Sequence, residues 1–225
     1  IMSLAFSLSL LWLLADPAAE VSRGDDVEWG FADAYYLDTC GFCAGRLGAR
    51  GDTVEWTESG RDIRFCQDDC ARAFKAHPAA GLAQLDDRMI ADQRPWYPLA
   101  ASIVSGRALG DAPVEFIWGN RLFRVVGASE KQQVRTDPVR YIRLLDRAVI
   151  EAQRRAYGMP TKCPVQGDIL EGDTPIDMVV ANRMIRLCCV RCVRVVKARP
   201  SQYLAMVEYA HRQAHRRRAE PADGP

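Results

Sequence analysis

The chain has 225 residues, of which 48% are hydrophobic and 26% are charged, and its formal net charge at neutral pH is +1. This balance gives no strong field that would attract nucleic acid or an anionic membrane surface, so we expect neither as a partner. The length fits one or two ordinary domains, or three small ones.

Residues 3–14 form a nearly continuous apolar stretch, and small residues around Ala18 and Ala19 follow it. A stretch of about a dozen residues is too short to span a bilayer. The pattern is typical of a signal peptide over residues 1–19, which predicts a periplasmic or secreted protein. The alternative is a first core helix, although residues 10–14 have no polar face. No later segment is long and apolar enough to cross a membrane, so we expect a soluble product after cleavage.

A unit of about sixty residues occurs three times, and such a period is typical of an array of small supersecondary units. The copies align on the proline that opens the last helix of each one, at Pro78, Pro138 and Pro200. The alignment predicts a linker over residues 20–34, copy one over 35–95, copy two over 96–156, copy three over 157–212 and a basic flexible tail over 213–225.

The predicted elements follow the same order in every copy. A short knuckle and a Gly-containing turn come first, and two β-rich runs around a tight turn then predict a β-hairpin. A short helix follows the second strand, and another helix begins at the proline. In copy two, Asp137 is a good N-cap, and apolar spacing predicts an amphipathic helix from Pro138 to about Tyr157. We therefore predict an α+β fold of three tandem units.

All eight cysteines belong to copies one and three. Copy one has Cys40 and Cys43 in its knuckle, and Cys66 and Cys70 where the second strand meets the helix. Two such pairs can place four thiolates around one ion, as structural zinc sites require. We also expect the nearby helix N-terminus to lower the pKa of the Cys66 and Cys70 thiols.

Copy three repeats this pattern with two changes. Three of its cysteines are in register with ligands of copy one, namely Cys163, Cys188 and Cys192. Gln166 stands at the position of Cys43, and Cys189 is additional. Three thiolates then form the site, with Cys189 or water as the fourth ligand. Soft sulfur ligands suit Cu⁺ as well as Zn²⁺, and we expect two such ions per chain.

Copy two has Ser102, Val126 and Glu130 at the positions of the cysteines, so we expect it to bind no metal. Its aromatic residues are expected to bury apolar area in place of an ion: Phe116, Trp118, Phe123 and Tyr141. Copy two would then be a spacer between the outer copies.

Disulfide bonds are the main alternative for the cysteines, because an exported chain with an even cysteine count often has them. The spacing within each pair favours metal ligands. Free buried thiols are a further possibility. The pair Cys40 and Cys43 also has thioredoxin-like spacing, but that chemistry requires a buried strand before the pair and a helix after it. A thiol–disulfide oxidoreductase is therefore the weaker alternative.

The three histidines add little to this interpretation. His77 precedes a helix-opening proline and is interpreted as a turn residue. His211 and His215 are four residues apart and can share an ion, but a solvated basic helix end accounts for them better. The sequence has no Ser–His–Asp set, phosphate-binding loop or HExxH motif, so we expect no enzyme.

Copy one resembles the YHS/TRASH-like superfamily of small treble-clef metal-binding modules. The family pattern of Phe-Cys, three residues, Cys, three residues, Phe and then Pro is found from Phe65 to Pro78. Copy three is similar around Cys163 and from Leu187 to Leu204, whereas copy two has lost the ligands. The resemblance implies treble-clef-like units that bind heavy-metal ions in trafficking, sensing or resistance, with a protein partner for metal transfer. The alternative is a scaffold for protein–protein interaction, stapled by zinc or disulfides.

Overall fold

The structure is a computed structural model that describes residues 33–49, 51–58, 60–172 and 174–219. The predicted signal peptide lies outside these residues, as does the predicted linker except for its last two residues. Among the helices of the described segments, none combines the length and the apolar character needed to cross a bilayer.

Six strands in the described residues pair as three antiparallel hairpins. The strands are β1 (Val54–Glu58) with β2 (Arg61–Phe65), β3 (Val114–Trp118) with β4 (Arg121–Val125), and β5 (Ile176–Val180) with β6 (Arg183–Leu187). The second and third hairpins turn through two residues with positive φ, Gly119–Asn120 and Ala181–Asn182. Two-residue hairpin loops favour this conformation because its twist matches that of the strands. All three predicted hairpins are confirmed.

In the part of the chain that the structure describes, six α-helices follow the hairpins in pairs. They are α1 (Asp68–Ala76), α2 (Pro78–Gln93), α3 (Ala128–Thr136), α4 (Pro138–Tyr157), α5 (Val190–Ala198) and α6 (Pro200–Ala219), and a 3₁₀ turn, Arg94–Trp96, follows α2. The predicted N-cap is confirmed, since the Arg140 backbone N–H donates to the Asp137 side chain at 3.3 Å. The amphipathic helix is confirmed as well, and α4 buries Tyr141, Leu145 and Val149. Helix α6 extends into the segment predicted as a flexible tail.

The three copies share their hydrophobic core. One cluster of buried side chains joins Phe65 of copy one, Leu122 of copy two and Ile185 of copy three. A second cluster surrounds Phe123 in copy two and includes Met184 from copy three. Of the aromatic residues predicted to be buried in copy two, three are less than 9% exposed, namely Phe116, Phe123 and Tyr141, and Trp118 packs against the second cluster. Copy two is therefore part of a continuous core that it shares with both neighbours.

A buried glutamine joins each copy to the next one. The Gln93 side chain, at the end of α2, donates to the Asn120 carbonyl at 3.0 Å and accepts from the Leu122 backbone N–H at 2.9 Å. The Gln153 side chain, near the end of α4, makes the same two contacts with Asn182 and Met184, each at 2.8 Å. One amide thus satisfies a buried donor and a buried acceptor of the next hairpin, which fixes the orientation of the two copies.

A buried arginine begins the second strand of every hairpin and pairs with an acidic residue on the longer helix of its own copy. The pairs are Arg61 with Asp86, Arg121 with Asp146, and Arg183 with Glu208. The three arginine side chains are at most 9% exposed. Taking a guanidinium out of water is costly unless its hydrogen bonds are satisfied, so these pairs constrain each hairpin against its helix.

Arg121 also contacts residues outside its own copy. It binds Asp33 through two 2.7 Å contacts and donates to the Val179 carbonyl at 2.9 Å. Asp33 also accepts from the Ala181 backbone N–H at 2.8 Å. The end of the predicted linker is therefore attached to the turns of the second and third hairpins. This network was not predicted from the sequence, although an arginine stands at the same position in all three copies and such a recurrence can indicate a shared structural contact.

Replacing Arg121 by methionine tests the network. Arg121→Met leaves Asp33 and Asp146 without their cation, and removal of one partner from a buried pair costs about 3–5 kcal/mol. We expect the free energy of unfolding, measured by urea denaturation, to fall by that amount. Arg72→Ala is the control, because Arg72 and its partner Asp69 are 72% and 73% exposed, and such pairs contribute about 0–1 kcal/mol. Equal losses in both variants would contradict the proposed importance of the network.

Candidate metal centres

Four cysteines converge at one end of copy one. The first two lie on the knuckle, which an isolated β-bridge between Thr39 and Arg46 closes. Cys66 follows β2 and Cys70 lies in the first turn of α1. We define the first-copy cluster as Cys40, Cys43, Cys66 and Cys70, whose Sγ atoms all lie within 4.8 Å of one another.

The knuckle is held against the rest of copy one by two features. The Arg88 guanidinium, on α2, donates to the carbonyls of Cys40 and Gly41 at 2.9 and 2.6 Å. A Cβ atom at Gly41 would lie 2.6 Å from the Ile63 side chain, so this close approach requires glycine. The knuckle sulfurs are thereby placed opposite those at the start of α1.

The sulfur–sulfur distances fit a shared cation. The Sγ atoms of Cys43 and Cys66 are 3.6 Å apart, and those of Cys66 and Cys70 are 3.7 Å apart. Four thiolates placed tetrahedrally around zinc, each about 2.3 Å from the ion, would be about 3.8 Å apart. A disulfide bond would instead bring two sulfurs to about 2.05 Å. All eight cysteines are described, and none of them forms a disulfide bond.

The pKa values of these thiols differ from the expectation based on the helix N-terminus. Burial raises the pKa of both Cys66 and Cys70, and neighbouring thiols raise it further for Cys70. The expected lowering is therefore wrong, because burial disfavours the charged thiolate. Cys43 is exposed, and the Gly45 backbone N–H lowers its pKa to about 7. A bound cation would have to displace protons from the buried thiols, so binding releases protons.

Copy three brings a second group of sulfurs together. We define the third-copy cluster as Cys163, Cys188 and Cys192, whose Sγ atoms lie within 4.8 Å of one another. The Sγ atoms of Cys188 and Cys192 are 3.5 Å apart. Cys189 lies outside this group, but its Sγ is 3.8 Å from that of Cys188 and 3.6 Å from that of Cys192. Its predicted place as the fourth ligand stays a prediction.

In the third-copy cluster, the pKa of each thiol depends on its burial and on the backbone N–H groups that donate to it. Burial raises the pKa of Cys188 and raises that of Cys192 to about 11. Burial also acts to raise the pKa of Cys163, but backbone N–H groups, that of Gln166 first, lower it overall. The Cys192 backbone N–H lowers the pKa of Cys189. The cluster thus combines thiols of high and low proton affinity.

In copy two, a hydrogen-bonded carboxylate lies where the outer copies have sulfurs. Glu130 is 4% exposed, and its Oε2 accepts from the Ser102 hydroxyl at 2.6 Å and from the Val126 backbone N–H at 3.1 Å. Arg107 donates to the other oxygen at 3.2 Å. Burial acts to raise the pKa of Glu130, but these hydrogen bonds together lower it to about 2. Hydrogen bonds within copy two therefore occupy the place that the sulfurs have in the outer copies. The contact between Arg107 and Glu130 was not predicted from the sequence.

The histidines occupy different environments. His77 is exposed before the proline of α2, as predicted. His211 is only 7% exposed, and its ring stacks on Tyr157 with a centroid distance of 3.8 Å. The expectation of a solvated helix end is therefore wrong for His211, because tertiary packing brings the end of α4 against α6. The side chain of His215 is outside the described part of the structure.

No protein-family model, curated protein or solved structure matches this chain. The YHS/TRASH resemblance therefore stays a prediction that rests on the cysteine and proline spacing alone.

The buried carboxylate of copy two predicts a specific pH dependence. Its pKa is about 2 in the folded protein against an ordinary 4.5, so its stabilising effect is complete above the ordinary value and is lost as the pH falls towards 2. We expect Glu130→Gln to lower the free energy of unfolding at pH 7 by about 1–3 kcal/mol and to weaken the acid dependence. The measurement is urea denaturation from pH 7 to pH 3 in the presence of a metal chelator.

The control for this prediction is Glu151→Gln, because the Glu151 side chain is 68% exposed. This variant should keep the acid dependence of the original protein. An identical acid dependence in Glu130→Gln and in the original protein would show that Glu130 does not contribute to it.

Proposed function

We propose that this protein binds Zn²⁺ or Cu⁺ through cysteine thiolates and acts in metal trafficking, sensing or resistance. The supporting observation is the presence of two separate groups of sulfurs, four in copy one and three in copy three, each of which can hold a metal ion. Soft thiolate ligands select these two cations over hard cations such as Mg²⁺ and Ca²⁺. An ion in either group would bring a positive charge to thiols whose pKa is raised by burial, namely Cys66 and Cys70 in copy one and Cys188 and Cys192 in copy three.

The proposal includes a tandem architecture of treble-clef-like units and an exported, non-enzymatic protein. The tandem part is supported by the threefold recurrence of a bridged knuckle, a hairpin, a nine-residue helix and a helix that begins with proline. Export rests on the sequence of residues 1–19. A protein partner that accepts or delivers the metal belongs to the same proposal.

A structural role for the metal is the second candidate function, and burial favours it. Cys40 and Cys192 are fully buried and belong to the core cluster that all three copies share. An ion at these positions would stabilise the small units, and these units would then present a surface for protein–protein interaction. Exposure of Cys43 favours exchange instead, because an exposed ligand can be reached by a competing thiol.

The thiol–disulfide oxidoreductase is disfavoured by the surroundings of Cys40 and Cys43. In the described residues before the pair there is an isolated bridge in place of a buried strand. After the pair the chain turns through Ala44, with φ of 57°, and in the described residues from there to Asp68 no helix begins. The pair therefore lacks the strand and helix that thioredoxin-like chemistry requires.

Native mass spectrometry with elemental analysis tests the proposed function. Protein purified anaerobically, without chelators, should carry two ions per chain. The double variant Cys66→Ser/Cys70→Ser should reduce this number to one, because the first-copy cluster would keep only two thiolates, fewer than the three that can hold an ion in the third-copy cluster. Ser105→Ala is the matched control, since Ser105 is in register with Cys43 but lies in copy two, and it should keep two ions. A metal-free protein with intact thiols would refute the proposal.

Chelation separates the structural role from the cargo role. A structural ion contributes its binding free energy to folding, so its removal should unfold α1 and α5 and reduce the helical circular dichroism signal. A cargo ion should leave by competition while the signal stays constant. Retention of full helicity in the metal-free protein would exclude the structural role.

A further inference from the structure

The additional thiol of copy three creates a second set of metal ligands. The Sγ atoms of Cys188, Cys189 and Cys192 are 3.8, 3.6 and 3.5 Å apart in the three pairs. These distances are close to the roughly 3.8 Å expected between thiolates that share a zinc ion. Cys188 and Cys192 therefore belong to two possible sets, one completed by Cys163 and the other by Cys189.

The two sets lie at different depths. Cys163 is 1% exposed, whereas Cys189 is half-buried. We name the set with Cys163 the inner set and the set with Cys189 the outer set. Cys188 is half-buried and Cys192 is fully buried, and both are common to the two sets. An ion in the outer set would be bound closer to solvent than one in the inner set.

The equivalent position in copy one has no thiol. Cys189 is the N-cap residue of α5, with φ of −162° and ψ of 166°. Gln67 is the N-cap residue of α1, with nearly the same backbone angles of −170° and 165°. Gln67 directly follows Cys66, and Cys189 directly follows Cys188. In both copies the next cysteine, Cys70 or Cys192, comes three residues later. The backbone is thus the same in both copies, and the side chain alone decides whether an outer set exists.

We propose that copy three holds its metal in a two-position site, in which Cys189 replaces Cys163 as a ligand and carries the ion outward for transfer to a thiolate-bearing acceptor protein. This inference rests on the proposed function. Although its Cys43 is exposed, the first-copy cluster has four thiolates and glutamine at the N-cap, so it has no second set into which an ion could move. It is then the more slowly exchanging site. The two copies would divide the structural role and the cargo role between them.

The exchange is balanced in bonds, protons and charge. The ion forms a bond to the Cys189 sulfur, which gives its proton to solvent, and the bond to the Cys163 sulfur breaks, after which that sulfur takes up a proton. The bonds to Cys188 and Cys192 persist throughout. No electron is transferred, and the number of thiolates on the ion is three before and after. Replacing a single bond at each step avoids a free ion in the core.

Exchange of the N-cap residues between the copies tests the inference. The variants Cys189→Gln and Gln67→Cys each introduce the residue that the other copy has at this position. The full chain is loaded anaerobically with Zn²⁺, ions are counted by native mass spectrometry, and transfer to a chromophoric thiol chelator is followed over time. Alkylation of cysteines after removal of one ion shows which cluster has been emptied.

We expect the original protein to lose the third-copy ion first. Cys189→Gln should keep two ions but slow the fast phase at least tenfold, and Gln67→Cys should accelerate release from the first-copy cluster. Cys189→Ser repeats the test with a smaller side chain. An unchanged fast phase in both Cys189 variants would make Cys189 a bystander, and loss of the ion would make it an ordinary fourth ligand; either result overturns the inference. Failure of the original protein to bind either Zn²⁺ or Cu⁺, each tested separately, would instead overturn the proposed function.

Discussion

The buried guanidinium of Arg121 and its two carboxylate partners hold the centre of the molecule together. Arg121 contacts Asp33, Asp146 and the Val179 carbonyl, and so ties the second hairpin to its own helix and to the third hairpin. Such a group tolerates little displacement, because each lost contact leaves a desolvated charge. Arg61 and Arg183 repeat the arrangement in the outer copies. The second strand of every hairpin is therefore fixed at its first residue, and in copies one and three the strand leads directly to the helix start that carries the sulfurs.

The same fold position is stabilised by different chemistry in different copies. In copy one, sulfurs from the knuckle and the helix start face one another, and the two at the helix start have a raised pKa because they are buried. In copy two, the carboxylate of Glu130 joins the knuckle to the helix start through Ser102 and Arg107. A metal ion held by the sulfurs of copy one would serve the same purpose as the carboxylate of copy two, which is to connect a short knuckle to a helix in a unit too small to bury a large core.

Copies one and three differ in how their sulfurs are supplied. Copy one takes two from the knuckle and two from the helix start, whereas copy three has one on the knuckle and three around the helix start. The first arrangement encloses a single position with four ligands. The second places three sulfurs around the helix start, where copy one has two, and the additional residue, Cys189, is half-buried. Structural zinc sites have four protein ligands, whereas catalytic sites leave one position open, so the two arrangements would hold an ion differently on the same backbone.

Local sequence determined the elements of this protein. The hairpins, the proline-initiated helices, the Asp137 N-cap and the grouping of the cysteines by copy follow from turn residues, apolar spacing and ligand spacing, all of which act over a few residues. Tertiary structure decided what depends on distant segments: the shared core, the Arg121 and Gln93 contacts, the burial of His211 and the raised pKa of Cys66 and Cys70. Burial and pairing are set by residues far apart in the chain, and spacing within one copy carries no information about them.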